Sequence, residues 1–149
     1  MSDPVSPHFD LTEVTHSQTA ARLGIDNSLP DELWGNVKAA AVGLELVRRE
    51  LNSNPIIISS WYRCPALNRA VGSKPISAHL TGYAIDFTCP TAGTPAQIVA
   101  ALIKSKVPYD QVIQEFTEHG GGWTHISFAP TMRQQALVID SSGTREFAA

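Results

Sequence analysis

Long apolar runs are missing from this chain of 149 residues, and that absence narrows its setting. No stretch approaches the roughly 20 consecutive apolar residues that a membrane-spanning helix needs, so no membrane partner is expected. The first residues, Met1-Ser2-Asp3-Pro4-Val5-Ser6-Pro7, are polar and proline-bearing. They lack the apolar segment of a secretory leader, which predicts a protein made in the cytoplasm without a signal peptide. Clustered base is missing too. With a formal net charge of -3 and Arg48-Arg49 as the only adjacent basic pair, the chain lacks the footprint of a nucleic-acid binder. Cysteine is scarce: Cys64 and Cys89 are the only two, without C-x-x-C spacing, and are expected to be reduced thiols rather than a disulfide or a zinc site. There is also no internal repeat and no low-complexity segment.

What is present suits one globular domain. Hydrophobic residues at 43% and charged residues at 17% can furnish a core at this length without staples. Residues 1–8 and 141–149 read as tails. A helix is predicted from Pro30-Asp31-Glu32-Leu33, with acids in its first turn, apolar residues at Leu33, Val37, Ala40, Ala41, Leu44 and Val47, and Arg48-Arg49 near its end. Asn52-Ser53-Asn54-Pro55 breaks it, and Ile56-Ile57-Ile58 begins a strand ending near Tyr62-Arg63. One or two helical turns follow over 64–71, then a loop at Gly72-Ser73-Lys74-Pro75, then a strand through Asp86 that stops at Cys89-Pro90. Thr94 and Pro95 start a second helix, which Pro108 stops. Gln111–Phe116 and Trp123–Phe128 read as two strands joined across Gly120-Gly121-Gly122, and Ala136–Asp140 as an edge strand. The order predicts an α+β domain: a small, mostly antiparallel sheet with helices packed on one side.

The chemistry concentrates in Ser77-Ala78-His79-Leu80-Thr81-Gly82-Tyr83-Ala84-Ile85-Asp86-Phe87. A loop imidazole and a strand carboxylate seven positions apart can be aimed at one metal, and His125 in Trp123-Thr124-His125-Ile126-Ser127 is the best remaining third ligand. Two nitrogens and one carboxylate oxygen suit zinc and leave a position for water, as a hydrolase requires. The same spacing also fits a His and an Asp that are merely satisfied on a surface or in a core. His16 reads as structural or solvated.

Ser-x-His-x-x-Gly-x-Ala-x-Asp at Ser77 to Asp86, Ser60-Trp61-Tyr62-Arg63 before it and His125-Ile126-Ser127 after it resemble the zinc D-alanyl-D-alanine carboxypeptidases. The likeness is to the short, M15-like phage and bacterial peptidoglycan peptidases. It runs from Phe9 to Phe128 and includes the lead Phe9-Asp10-Leu11-Thr12-Glu13-Val14 with Asp26-Asn27. It implies a single zinc peptidase domain with the metal on the open face of the sheet, held by His79, Asp86 and His125. It also implies that Arg63 binds the carbonyl or carboxylate of the peptide and that Ser77 bonds to substrate. Cys64 departs from the small hydroxyl residue commoner after that arginine. The implied partner is a peptidoglycan stem peptide, cut by a monomer that reaches the wall after lysis or by phage delivery. L-alanyl-D-glutamate endopeptidase activity, and a non-catalytic wall-binding or virion module with a structural zinc and His119 as fourth ligand, are the rival readings.

The general base is the point of greatest departure. Some relatives carry a glutamate three positions before the last metal histidine, where this chain has Gly122, and others use a histidine near the place of His119. Glu115 is favoured over His119 and Glu118 as base. If it stands directly opposite His125 across the glycine loop, both side chains share a face, and a slip of one residue would turn it away.

Overall fold

The computed structural model describes residues 3–148. Two short strands, β1 (Pro4–Ser6) and β2 (Phe9–Asp10), lead into α1 (Leu11–Thr15) and α2 (Gln18–Leu23). A 3₁₀ turn at Asp31–Leu33 then runs into α3 (Trp34–Glu50). The remainder is β3 (Ile57–Ser60), α4 (Pro65–Ala70), β4 (Ala84–Thr88), α5 (Pro95–Lys104), β5 (Gln111–Glu115), β6 (Trp123–Ser127), β7 (Gln135–Asp140) and β8 (Gly143–Glu146). Six of these strands form one sheet in the order β3-β4-β6-β5-β7-β8. Its neighbours are antiparallel except β5 and β7, which run parallel. This is the expected α+β arrangement.

Local chemistry explains the helix boundaries. Asp10 and Glu13 form a reciprocal capping box on α1, and Thr94 and Gln97 form one on α5, where Pro95 occupies the first turn. Arg48 and Arg49 lie in the last turn of α3, where cations are favoured. Val37, Ala40, Ala41, Leu44 and Val47 of α3 and Ile98, Val99 and Leu102 of α5 bury one face of the sheet, represented by Ile85, Phe87, Val112 and Ile126. Full burial of each larger aliphatic side chain contributes about 1.5–3 kcal/mol, so this layer fixes which strand face turns inward. The intervening residues, Asp86, Ile113, Glu115 and His125, must point the other way, because side chains alternate along a strand.

Four elements depart from the sequence reading. Residues 4–8, taken there as tail, instead dock on α3: Val5 is buried, and the Glu45 carboxylate accepts bonds from Ser6 Oγ (2.6 Å) and the His8 amide (2.8 Å). At the other end, Gly143–Glu146 pairs with β7 rather than fraying, with Arg145 on Asp140 at 2.9 Å. Met1, Ser2 and Ala149 lie outside the described residues. The 136–140 run is not at the edge, since β8 covers its outer side. Finally, the strand expected to reach Arg63 stops at Ser60, and residues 61–63 leave the ladder to serve the site.

The parallel placement of β7 depends on Asp110. Its carboxylate, nearly buried, accepts from Thr131 Oγ1 (2.8 Å) and from the Arg133 amide (3.0 Å), Nε (2.9 Å) and Nη2 (2.8 Å), which folds residues 131–133 back toward β5. The Arg133 bonds lead in holding its pKa down to about 2. A carboxylate depressed on folding stabilises above its unfolded pKa of about 3.9, and that stability is lost as pH falls toward the folded value. Asp110→Asn is therefore expected to cost about 1–2 kcal/mol at neutral pH, the half-exposed Arg133 limiting the loss. In urea melts the difference from wild type should shrink between about pH 4 and pH 2; a difference unchanged across that window would remove the ion pair from the account.

Candidate metal centre

Asp86 stands in β4 between Ile85 and Phe87, both fully buried in the core, so its carboxylate is delivered to the opposite face. His125 in β6 is its direct antiparallel partner, and cross-strand partners share a face. Its Nδ1 lies 2.9 Å from Asp86 Oδ1. The third group, His79, comes from a 3₁₀ turn at Ala78–Thr81. Ser77 caps this turn, its Oγ accepting from the His79 amide at 3.2 Å. Gly82 closes it in a left-handed conformation (φ +82°), where an added Cβ would also press on Val37.

The turn is fixed from outside by the segment after β3. The Trp61 indole N–H donates to the Gly82 carbonyl (2.9 Å), the His79 Nδ1–H donates to the Trp61 carbonyl (2.6 Å), and the Arg63 amide donates to the His79 carbonyl (3.1 Å). A carbonyl can only accept, so the proton of neutral His79 resides on Nδ1 and Nε2 carries a lone pair. That Nε2 is buried, has no hydrogen-bond partner, and faces Asp86 Oδ1 at 3.2 Å. Two buried acceptors held face to face repel each other unless a cation lies between them. Ligand atoms of His79, Asp86 and His125 all lie within 4.8 Å of one another, and this donor set therefore fits a divalent metal.

The surrounding charges agree. Burial opposes ionisation of Asp86, yet positive charge at the His79 and His125 rings would hold its carboxyl well below the usual carboxylate range, and a cation between His79 and Asp86 would act in the same sense. Burial likewise resists a charged His125, but its bond to Asp86 and the charge of Asp86 and Glu115 raise its pKa. Arg63 adds a third contact to the carboxylate, Nη2 to Asp86 Oδ2 at 3.3 Å. It is itself positioned by Ser60 Oγ on Nε (3.1 Å) and by Asn68 Oδ1 on Nη1 (3.3 Å).

Glu115 reaches the site by a different register from the one expected. Ile113, not Glu115, stands opposite His125, while Glu115 pairs with Trp123. The offset is two residues, so the face is kept: Glu115 Oε1 lies 3.7 Å from His125 Nδ1 and accepts the Trp123 indole N–H at 2.9 Å. Burial raises the pKa of its carboxyl. Gly122 cannot supply the acid instead. Its φ is +81° and a Cβ there would run into the Glu115 carbonyl.

His119 is exposed on the β5–β6 loop and is not part of the convergent group, so it does not provide a fourth ligand. Glu118 is exposed and accepts from the Ser141 amide at 2.9 Å. Cys64 is a free thiol whose Sγ caps α4 through the Leu67 amide, and Cys89 is free and buried. Trp61, Asn68 and Trp123 were missed by sequence reasoning, because each acts on a ligand or an ionic group rather than being one. The usable signal was placement: Trp61 lies two positions before Arg63, and Trp123 two before His125 on the same strand face.

Where His125 carries protons on both ring nitrogens, metal binding at Nδ1 must expel the one it shares with Asp86. Because that histidine's pKa is raised, the proton stays bound to higher pH than on a free imidazole, and metal affinity should fall about tenfold per pH unit below its titration. Calorimetry in buffers of different ionisation enthalpy should record about one proton released per metal near pH 6.5, diminishing as pH rises. No release at pH 6.5 would mean that His125 is already neutral there and that Asp86 and Glu115 do not raise its pKa.

The family model described as Peptidase M15 matches residues 7–127 of the sequence. No curated protein matches the chain significantly. The matched span includes all three convergent ligand residues together with Arg63 and Glu115, and the chain belongs to the Peptidase M15 family of metal-dependent peptidases.

Proposed function

We propose that this chain is a zinc-dependent peptidase that hydrolyses the stem peptides of peptidoglycan, as a D,D-carboxypeptidase or endopeptidase of the endolysin type. The observation that carries the reading is the Glu115 carboxylate, 3.7 Å from His125 beside the group of His79, Asp86 and His125. A structural zinc has no use for a half-buried carboxylate of raised basicity next to its ligands, whereas hydrolysis does. Zinc is the metal that two imidazoles and one carboxylate suit, and when bound it supplies Lewis acidity toward a scissile carbonyl and toward water.

The chain's own residues do the rest. Trp123 holds one oxygen of Glu115, which leaves Oε2 to take a proton from the attacking water and return it to the departing amine. As the water oxygen joins the carbonyl carbon, negative charge develops on the carbonyl oxygen, and it is lost again when the C–N bond breaks and the carbonyl re-forms. Arg63 remains charged throughout, and its N–H groups that are not bound to Ser60, Asn68 and Asp86 offer compensation. Ser77, half-buried and already capping the His79 turn, acts on substrate only through its remaining hydrogen-bonding capacity. The chain works as a monomer on walls reached after lysis or from a phage particle.

Glu115→Gln is expected to keep its metal and lose about 10²–10⁴ in turnover, while His119→Ala stays near wild type. The reverse pattern would transfer the base to His119. Arg63→Lys should retain metal and lose roughly 10²-fold in turnover, because a point charge does not replace the fork. Mass analysis of fragments released from purified peptidoglycan identifies the bond cut. Release of D-alanine or of cross-link products supports the reading; L-alanyl-D-glutamate cleavage moves the assignment to that endopeptidase class, and no release by the zinc-loaded protein rejects hydrolysis.

A further inference from the structure

A groove of about 440 Å³ opens beside the metal centre, between the α1–α2 connection, β3 and α4. Its walls include His16 and Thr19 on one side, Ser60 of β3, and Leu67 and Val71 on the other. None of the metal-binding trio lines it. Arg63 does, and since its Nη2 also contacts Asp86, one guanidinium forms the partition between groove and metal centre.

The partition is built rather than incidental. Three separate acceptors, Ser60, Asn68 and Asp86, each take one Arg63 N–H, and a guanidinium has five, so two remain for a ligand. The opposite wall is pinned as well. Buried Asn27 donates to the carbonyls of Thr15 (2.9 Å) and Tyr62 (3.0 Å) and accepts from the Cys64 amide (2.8 Å), which ties the end of α1 to the segment carrying Arg63. The chain has a net charge of -3, yet no acidic residue lines this groove, and both its ionisable groups are bases. The half-exposed Val71, packed over buried Leu67, adds an aliphatic surface. The volume lies in the range of roughly 300–1,000 Å³ that accommodates ligands of drug size, more than one terminal alanine requires.

We propose that this groove binds the substrate on one side of the scissile bond, as a segment of at least three residues carrying a carboxylate and aliphatic side chains. The carboxylate meets Arg63 and His16, and the aliphatic groups lie on Val71. The assignment rests on the reading that the metal centre hydrolyses wall stem peptides. It makes the enzyme selective for peptides that extend beyond the cut, and favours internal cleavage over release of a single terminal residue.

The test uses zinc-loaded, ¹⁵N-labelled Glu115→Gln protein titrated with a synthetic peptidoglycan stem pentapeptide and, separately, with D-alanyl-D-alanine. The pentapeptide should shift the amides of His16, Thr19 and Val71, and the dipeptide should not. Val71→Trp fills the groove and His16→Glu sets a negative charge against that of Arg63. Each is expected to weaken pentapeptide binding about tenfold and to leave dipeptide binding unchanged. Both positions are on the surface, so circular dichroism and zinc content should match the parent. Shifts confined to the metal centre, or affinities within twofold in both variants, would overturn the assignment. Hydrolysis of the pentapeptide by wild type is followed in parallel. Cleavage with a silent groove rejects the groove alone, and groove shifts without cleavage support the groove while rejecting the hydrolytic reading.

Discussion

Asp86 puts a carboxylate in a position only 4% exposed, and most of the site's construction follows from keeping that charge there. An uncompensated buried ion costs several kcal/mol even after relaxation, so the carboxylate must be met on every side. His125 meets it from the neighbouring strand, Arg63 from the segment after β3, and His79 from the 3₁₀ turn. Each of these requires its own support. Register supplies it for His125, Ser60 and Asn68 for Arg63, and Trp61 with Gly82 for His79. Only the His79 contact is left as two facing acceptors, and that mismatch is what a metal resolves.

The sheet does more than carry ligands. Because its inner face is filled by α3 and α5, the parity of every strand is determined, and Asp86, His125 and Glu115 come to one face without any loop having to aim them. A slip of one residue between β5 and β6 would exchange Glu115 for Gln114, but a shift of two changes only the distance. Gly122 keeps the β5–β6 loop so close to the Glu115 carbonyl that no side chain fits at that position.

The convergence of His79, Asp86 and His125 was legible in the sequence because these are distinctive residue types set on strand alternation: Ala84-Ile85-Asp86-Phe87 and Trp123-Thr124-His125-Ile126 each place one polar group opposite an apolar neighbour. The sheet and its two long helices were legible for the same periodic reason. Less visible were contacts between segments distant in sequence. Val5 and Ser6 read as tail because Glu45, which holds Ser6, is a surface position of α3 by any periodic rule. The parallel pairing of β7 with β5 depends on Asp110 and Arg133, a pair 23 residues apart with no pattern of its own. The exact partner of Glu115 was likewise invisible, since loop length alone does not set a hairpin's register.

Arg63 joins these levels. A free arginine would lose considerable side-chain entropy on being ordered by a ligand, but here Ser60, Asn68 and Asp86 have already imposed that order on folding. The remaining N–H groups are therefore preorganised, and electrostatic help from preorganised donors requires no rearrangement at the moment of reaction. Asn68 extends the same order outward: its Nδ2 donates to the Lys74 carbonyl at 3.0 Å, which fastens the loop leading to Ser77 and His79. The segment that delivers His79 and the segment that carries Arg63 are thus one hydrogen-bonded unit, and neither can move without disturbing the other. The same connection lets the groove wall and the metal centre keep a fixed separation, as a peptide spanning both would require.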